Sequence, residues 1–297
     1  MDREQSDSGG LAPADAFSLL GHDLRVDILR GLLELSRTRA EYPASFSTLR
    51  ERVGADVSSQ FNYHLDELTG HFVRRTDDGY ELRYAGWEVA TSILAGTYNR
   101  RAAFGPTEID GRCPHCTESS LAATYREEWL TVECPTCNER LVRYPFPPGG
   151  LESRSLSEVL EAFDRHVRSH VALARDGICP GCTGPVTVQT ATDADLEGER
   201  IAIFVCQRCG NRLRPHLGLA LVADEHVVQF ARSHGRSLSK TRFWELEWCV
   251  SDAAASVSTD PWRCTVPIPI ADETLVLTVD DELVVRSTRI DDGEIER

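Results

Sequence analysis

The chain has 297 residues, 41% of them apolar, and carries a formal net charge of -15. That length predicts two or three domains, each able to bury a core. No apolar run is long enough to cross a bilayer, and the polar, acidic opening MDREQSDSGG is unlike a secretory signal, so the expectation is a cytoplasmic protein with reduced cysteines rather than a membrane or disulfide-stapled secreted one.

Lys240 is the only lysine, so arginine supplies nearly all the positive charge. Abundant carboxylates with almost no lysine resemble the proteins of salt-accumulating halophiles. Carboxylates hold water and cations, and molar salt screens their repulsion within a few ångströms. The acidity therefore reports on the solvent more than on the partner, and it leaves nucleic acid open.

The expected fold class is α+β and multidomain: a winged helix-turn-helix, two four-cysteine zinc-ribbon units with a connecting helix, and a β-rich C-terminal segment. Residues 1–12 read as a disordered tail. From 13 to 104, apolar spacing gives a short helix through Ala16, Phe17, Leu19 and Leu20, broken at Gly21. A second helix carries Leu24, Val26, Ile28, Leu29, Leu32 and Leu33. Ser47 stands as the cap of STLRERVG, which ends at Gly54. In ADVSSQFNYHLDELTG, Asp56 is the expected cap and Val57, Phe61, Leu65 and Leu68 form one buried stripe.

Ser58, Ser59, Gln60, Asn62, Tyr63 and His64 then face outward, a set of neutral hydrogen-bonding side chains suited to base edges. HFVRRT and YELRYA around Asp77-Asp78-Gly79 read as a hairpin. That order, helix-turn-helix and then a two-stranded wing, places Arg74 and Arg75 where phosphates pass. A last helix, GWEVATSILAGTYN, carries Trp87, Val89, Ala90, Ile93, Leu94 and Tyr98, which either pack on the same domain or join two copies.

The phrases LLGHDLRVDILRGLLE, SSQFNYHLDELTG and VRRTDDGYELRYAGWEV resemble the ArsR-like winged-helix repressors over roughly Ala14 to Thr97. The resemblance implies binding to double-stranded DNA through the helix holding Tyr63-His64-Leu65, and homodimerisation through the first and last helices. The segment has no cysteine, unlike the metal-sensing members.

Eight of the ten cysteines form Cys-x-x-Cys pairs: Cys113/Cys116, Cys134/Cys137, Cys179/Cys182 and Cys206/Cys209. A tetrahedral zinc takes four thiolates, and each pair offers two from one turn. The spacing predicts two structural Zn2+ sites per chain, in ribbons over 105–150 and 177–216. Tetrahedral iron is the alternative. Four protein ligands leave no open position for substrate, so no enzyme is expected. The first ribbon, with strands Ala122 to Arg126, Leu130 to Glu133 and Leu141 to Tyr144, is too small for a core, so the metal is expected to stand in for one. His115 inside its knuckle is expected to be exposed.

Pro145, Pro147, Pro148, Gly149 and Gly150 read as a linker to an amphipathic helix within 151–176. His166 and His170 stand four apart on that helix, with no third ligand in view. Val186 to Thr190 and Ile201 to Val205 are expected strands of the second ribbon. Residues 217–297 read as α/β: a helix in ADEHVVQFARSHG, an alternating strand from Cys264 to Ile270, and a hairpin turning at Asp280-Asp281. Cys249 and Cys264 are expected as buried thiols in a sheet, and Phe243, Trp244, Trp248 and Trp262 as core packing or a pocket.

Together these features point to a DNA-binding transcriptional regulator whose zinc ribbons serve effector response or assembly. A basal factor resembling archaeal transcription initiation factor E, bound to the transcription machinery, is the alternative, because it too joins a winged helix to a zinc ribbon.

Overall fold

The computed structural model describes residues 10–38, 40–193, 199–252 and 256–292. Most of the expected N-terminal tail, residues 1–9, lies outside them. The chain divides into two compact units, one of residues 1–100 with 147–149 and one of 101–146 with 150–297.

In the first unit, helices α1 (Pro13–Leu19), α2 (Asp23–Thr38), α3 (Phe46–Val53) and α4 (Ser58–Leu68) precede a hairpin of β1 (Val73–Thr76) and β2 (Gly79–Leu82), and α5 (Tyr84–Leu94) follows. This is a winged-helix-like order. Its core gathers Ile28, Leu29 and Leu32 of α2 with Leu49 of α3 and Phe61, Leu65 and Leu68 of α4. Each fully buried side chain of this kind contributes about 1.5–3 kcal/mol. Ala44 pairs with Tyr80 through two backbone hydrogen bonds of 2.8 and 2.9 Å, which adds a strand stub beside the wing. Gly79 is required there: its φ is 143°, and a Cβ would sit 2.4 Å from the Ala44 carbonyl oxygen.

Several local expectations change. Ser45, not Ser47, caps α3, its hydroxyl accepting from the Thr48 N–H at 3.1 Å. Asp56 does not cap α4; Val57 occupies the cap position without a side-chain bond and is exposed rather than part of the buried stripe. Phe17 of α1 is exposed. Gly54 ends α3 in the left-handed region as expected, at φ 71°.

The second unit opens with an antiparallel sheet of β3 (Phe104–Glu108), β4 (Ala122–Arg126), β5 (Trp129–Glu133) and β6 (Arg140–Pro145), in that order. A 3-10 turn, Pro148–Leu151, leads to α6 (Leu156–Arg175), opened by a capping box of Ser155 and Glu158. A second sheet follows, of β7 (Val186–Asp193), β8 (Glu199–Cys206) and β9 (Arg212–Leu213). Short helices α7 (Leu217–Leu221), α8 (Glu225–Ser233) and α9 (Glu247–Val250) lead to a third antiparallel sheet of β10 (Ser256–Thr259), β11 (Trp262–Ile270), β12 (Glu273–Val279) and β13 (Val285–Asp292).

One hydrophobic cluster runs through all of this, from Ile109 and Leu121 through Phe163 and Phe204 to Trp244, Val266 and Leu277. The first ribbon is therefore not left with a metal as its only core, as its length alone suggested. Its inner face, with Tyr125, Leu130 and Val132 fully buried, packs into the same cluster as α6. Phe243, Trp244 and Trp248 belong to that cluster too. Cys264 sits on β11 as expected, but Cys249 is buried on helix α9 rather than in a sheet. The buried Asp164 of α6 binds Arg168 at 2.9 Å and accepts the Phe243 N–H at 2.7 Å, tying the aromatic segment to the helix. A buried carboxylate paired and bonded in this way is strongly destabilising to break. Among the described residues, no helix is long and apolar enough to cross a membrane.

Candidate metal centres and nucleic-acid interface

The eight paired cysteines converge into two clusters, Cys113, Cys116, Cys134, Cys137 and Cys179, Cys182, Cys206, Cys209, with the sulfurs of each set within 4.8 Å of one another. Within the first, Cys113 and Cys137 are 3.7 Å apart and Cys116 and Cys134 3.6 Å. Within the second, Cys179 and Cys209 are 3.7 Å apart and Cys182 and Cys206 3.5 Å. A tetrahedral zinc with bonds of about 2.3 Å sets its sulfurs about 3.8 Å apart, whereas a disulfide needs about 2.05 Å. The donor set therefore fits two structural zinc ions per chain. In both clusters the first and third cysteines are buried, the second is half-buried and the fourth exposed.

All four knuckles share one backbone design. The N–H of the first cysteine bonds the carbonyl five residues on: Cys113 to Glu118, Cys134 to Glu139, Cys179 to Gly184 and Cys206 to Asn211, at 2.8–2.9 Å. The residue after the second cysteine donates back to the carbonyl of the first, and it always lies in the left-handed region: Thr117 at φ 62°, Asn138 at 61°, Thr183 at 54° and Gly210 at 73°. Only Gly210 and Asn138 suit that region well; the β-branched Thr117 and Thr183 are held there by the turn. The recurrence of a small or polar residue after each second cysteine was a readable signal that cysteine spacing alone did not use.

Hydrogen bonds aimed at sulfur favour thiolates. The Ser120 hydroxyl lies 3.3 Å from Cys134 Sγ, and the Arg208 and Cys209 N–H groups lie 3.4 and 3.5 Å from Cys206 Sγ. Burial pushes the Cys134 thiol up, but Ser120 and the backbone outweigh it and bring it below the usual range. The Cys209 N–H does the same for Cys206, against its burial. His115 is exposed and stands apart from both clusters. The His166 and His170 rings meet at a tilt of 52° with centroids 4.0 Å apart, but among the described residues no third ligand joins them; Tyr144 Oη meets His170 Nδ1 at 2.9 Å instead.

On the first unit, Ser58, Ser59, Gln60, Asn62 and Tyr63 of α4 are all exposed. Tyr63 keeps 56% of its surface open, and Asn62 donates to Asp66 Oδ2 at 2.8 Å. His64 departs from the expected outward set. It is only 6% exposed, its ring meets that of His22 at a tilt with centroids 3.9 Å apart, and its Nδ1 accepts from Arg25 Nε at 3.2 Å. The reason is position: His64 flanks the stripe of Phe61, Leu65 and Leu68, so α2 covers it. On the wing, Arg75 is exposed with its guanidinium 5.7 Å from the Tyr80 ring. Arg74 is exposed but already paired across the hairpin with Glu81, at 2.6 Å.

Two family models match the chain. One, described as Domain of unknown function (DUF7347), matches residues 13–93, which run from the start of α1 almost to the end of α5. The other matches residues 110–285, from the first knuckle to the start of the last strand. No curated protein and no solved structure matches. Since its model covers more than half of the 297 residues, the chain belongs to the family described as Domain of unknown function (DUF7351).

Proposed function

We propose that this chain is a sequence-specific, ArsR-like transcriptional regulator that binds double-stranded DNA through α4 and stiffens or assembles through two structural zinc ribbons. The observation that carries the reading is the exposed row Ser58, Ser59, Gln60, Asn62 and Tyr63 on the helix immediately before a two-stranded wing. Such side chains donate and accept at base edges, while wing arginines grip the backbone. In this reading Arg75 meets phosphate directly and Arg74 exchanges Glu81 for phosphate. His64 acts through Tyr63: the two rings touch at 5.1 Å, so the buried imidazole positions an exposed base-reading side chain.

Two copies are the natural unit for a palindromic operator, with half-sites about 34 Å apart. Exposed aromatic residues on α1 and α5, among them Phe17, Tyr84 and Trp87, support a homodimer formed through those helices. We further read the protein as cytoplasmic, where thiols stay reduced, and as adapted to high salt on account of its carboxylates. We assign it no catalysis, because four thiolates close each metal site. The working boundaries are those drawn from the sequence, with the DNA-binding domain over 13–104.

In vitro selection of duplex DNA by the zinc-loaded chain, followed by footprinting of the selected site without RNA polymerase, tests the reading. A protected two-fold site is the expected result. Protection that appears only with polymerase present would overturn it in favour of a basal factor.

A further inference from the structure

The two ribbons present the same residues after their last cysteine. Cys137 is followed three and four residues on by Arg140 and Leu141, and Cys209 by Arg212 and Leu213. Both leucines are buried and both arginines exposed. Each pair rides a strand that leaves its knuckle through a left-handed residue, Asn138 in one and Gly210 in the other. Asn211, beside Arg212, also reaches Cys179 Sγ at 3.9 Å, so the second metal cluster fixes the start of β9. The knuckle turns thus set where both arginines leave the clusters.

These two strands, β6 and β9, lie at the edges of separate sheets and line one cleft of about 500 Å³. Arg140, Arg143, Arg212 and Arg214 all line it, and among the described residues no carboxylate does. That is a marked exception in a chain with 47 acidic and 32 basic residues. Among the described residues, neither Arg140 nor Arg212 has an acidic partner. Arg143 lies 4.5 Å from the ring of Trp129, which also lines the cleft. The floor is apolar and buried, with Val167 and Val171 of α6, Leu219 and Phe243.

We propose that this cleft binds a small organic anion, a carboxylate or phosphate carried on an apolar or aromatic body. Each half of the lining selects one half of that ligand. Guanidinium forks match carboxylate and phosphate oxygens in two-point contacts. The buried aliphatic floor and the indole take an apolar body, and the volume falls within the range of small-molecule sites, about 300–1,000 Å³. A nucleic-acid backbone would use the arginines but leave the apolar floor without a partner. The inference goes beyond DNA binding and does not rest on it, because occupancy is measured on the chain alone.

The test uses the zinc-loaded full chain in the lowest potassium chloride that keeps it folded. The probes are 8-anilinonaphthalene-1-sulfonate and its uncharged parent, N-phenyl-1-naphthylamine. In the double variant Arg140→Ala, Arg212→Ala, sulfonate affinity should fall by about tenfold or more, the loss expected from removing charge-assisted bonds. The neutral dye should change by less than about twofold, since the floor is untouched. Arg232→Ala with Arg236→Ala, an equal loss of charge outside the cleft, should change neither dye. Retention of two zinc ions per chain shows that each variant is folded. Adenosine monophosphate against adenosine, and decanoate against decanol, then separate phosphate from carboxylate ligands by displacement of the sulfonate. Displacement by either acid but not its neutral counterpart is expected. The proposal is overturned if the wild-type chain binds no sulfonate, if the folded cleft variant binds it unchanged or loses both dyes equally, if the distant variant loses it as much, or if neither acid displaces it.

Discussion

Arg25 of α2 donates from Nε to His64 Nδ1 at 3.2 Å, and the same guanidinium reaches Glu67 at 3.1 Å and the Leu19 carbonyl at 3.1 Å. One side chain thus joins the end of α1, the start of α2 and the inner side of α4. Its partners are partly buried, so their loss is not repaired fully by water. Arg25→Ala should destabilise the first unit by about 1–3 kcal/mol. Urea unfolding followed at this unit checks it; an unchanged midpoint would show that the fork is a surface contact without consequence.

The same contact makes a pH dependence. Burial, and after it the neighbouring His22 and Arg25, hold the His64 pKa below that of a free imidazole. Its neutral form is therefore the folded form, and the unfolded chain takes up the proton first. Stability from this group is complete above about pH 6.5 and is lost as pH falls below it. His170 behaves alike in the second unit, where burial and then His166 bring it down to about 4. Between about pH 6.5 and 4, His170→Gln should unfold with a shallower pH dependence than the native chain. Equal slopes would contradict the assignment.

Both ribbons feed one hydrophobic cluster, the first through Cys113 and Cys134 themselves and the second through Phe204 and Leu213 beside its cysteines, so their losses should not stay local. Cys134→Ser and Cys206→Ser should each release one zinc ion, and each should weaken the whole second unit rather than a single ribbon. Elemental analysis alongside thermal unfolding reads both effects. Two independent transitions, one per ribbon, would refute the shared core. A red, iron-bearing preparation would keep the geometry and change the metal.

What was legible in the sequence was what depends on near neighbours. Cysteine spacing located both clusters because a knuckle is a local turn, and alternation located β11 because its period-two burial is local too. What failed depended on distant partners. Strand β3 carries Gly105 and Pro106, which argue against a strand; it forms because it is an edge, with a register irregularity between Phe104 and Thr107 that accommodates them. His64 looked outward because it is polar, and the partners that cover it are distant in the chain: His22, and Arg25, 39 residues away. The arginine-lined cleft was invisible for the same reason: its two strands lie about 70 residues apart in the chain and meet only in the fold.

Salt should weaken DNA binding little. Each phosphate neutralised adds about -0.9 to the slope of log K against log salt. Arg74 and Arg75 are the wing contacts available, and Arg74 must first leave Glu81. A slope near -2 per protomer is therefore expected, from titrations in potassium chloride. A slope several times steeper would mean a basic surface that the wing does not provide.

DNA reading by α4 is measured by comparing Gln60→Ala and Asn62→Ala with the native chain on the selected operator and on unrelated duplex. Both side chains are exposed on α4, so neither change should disturb the core. Each should lose about 1–3 kcal/mol on the operator and little on unrelated DNA, so that sequence preference collapses. Unchanged operator affinity in both variants would contradict it and remove α4 as the reading helix.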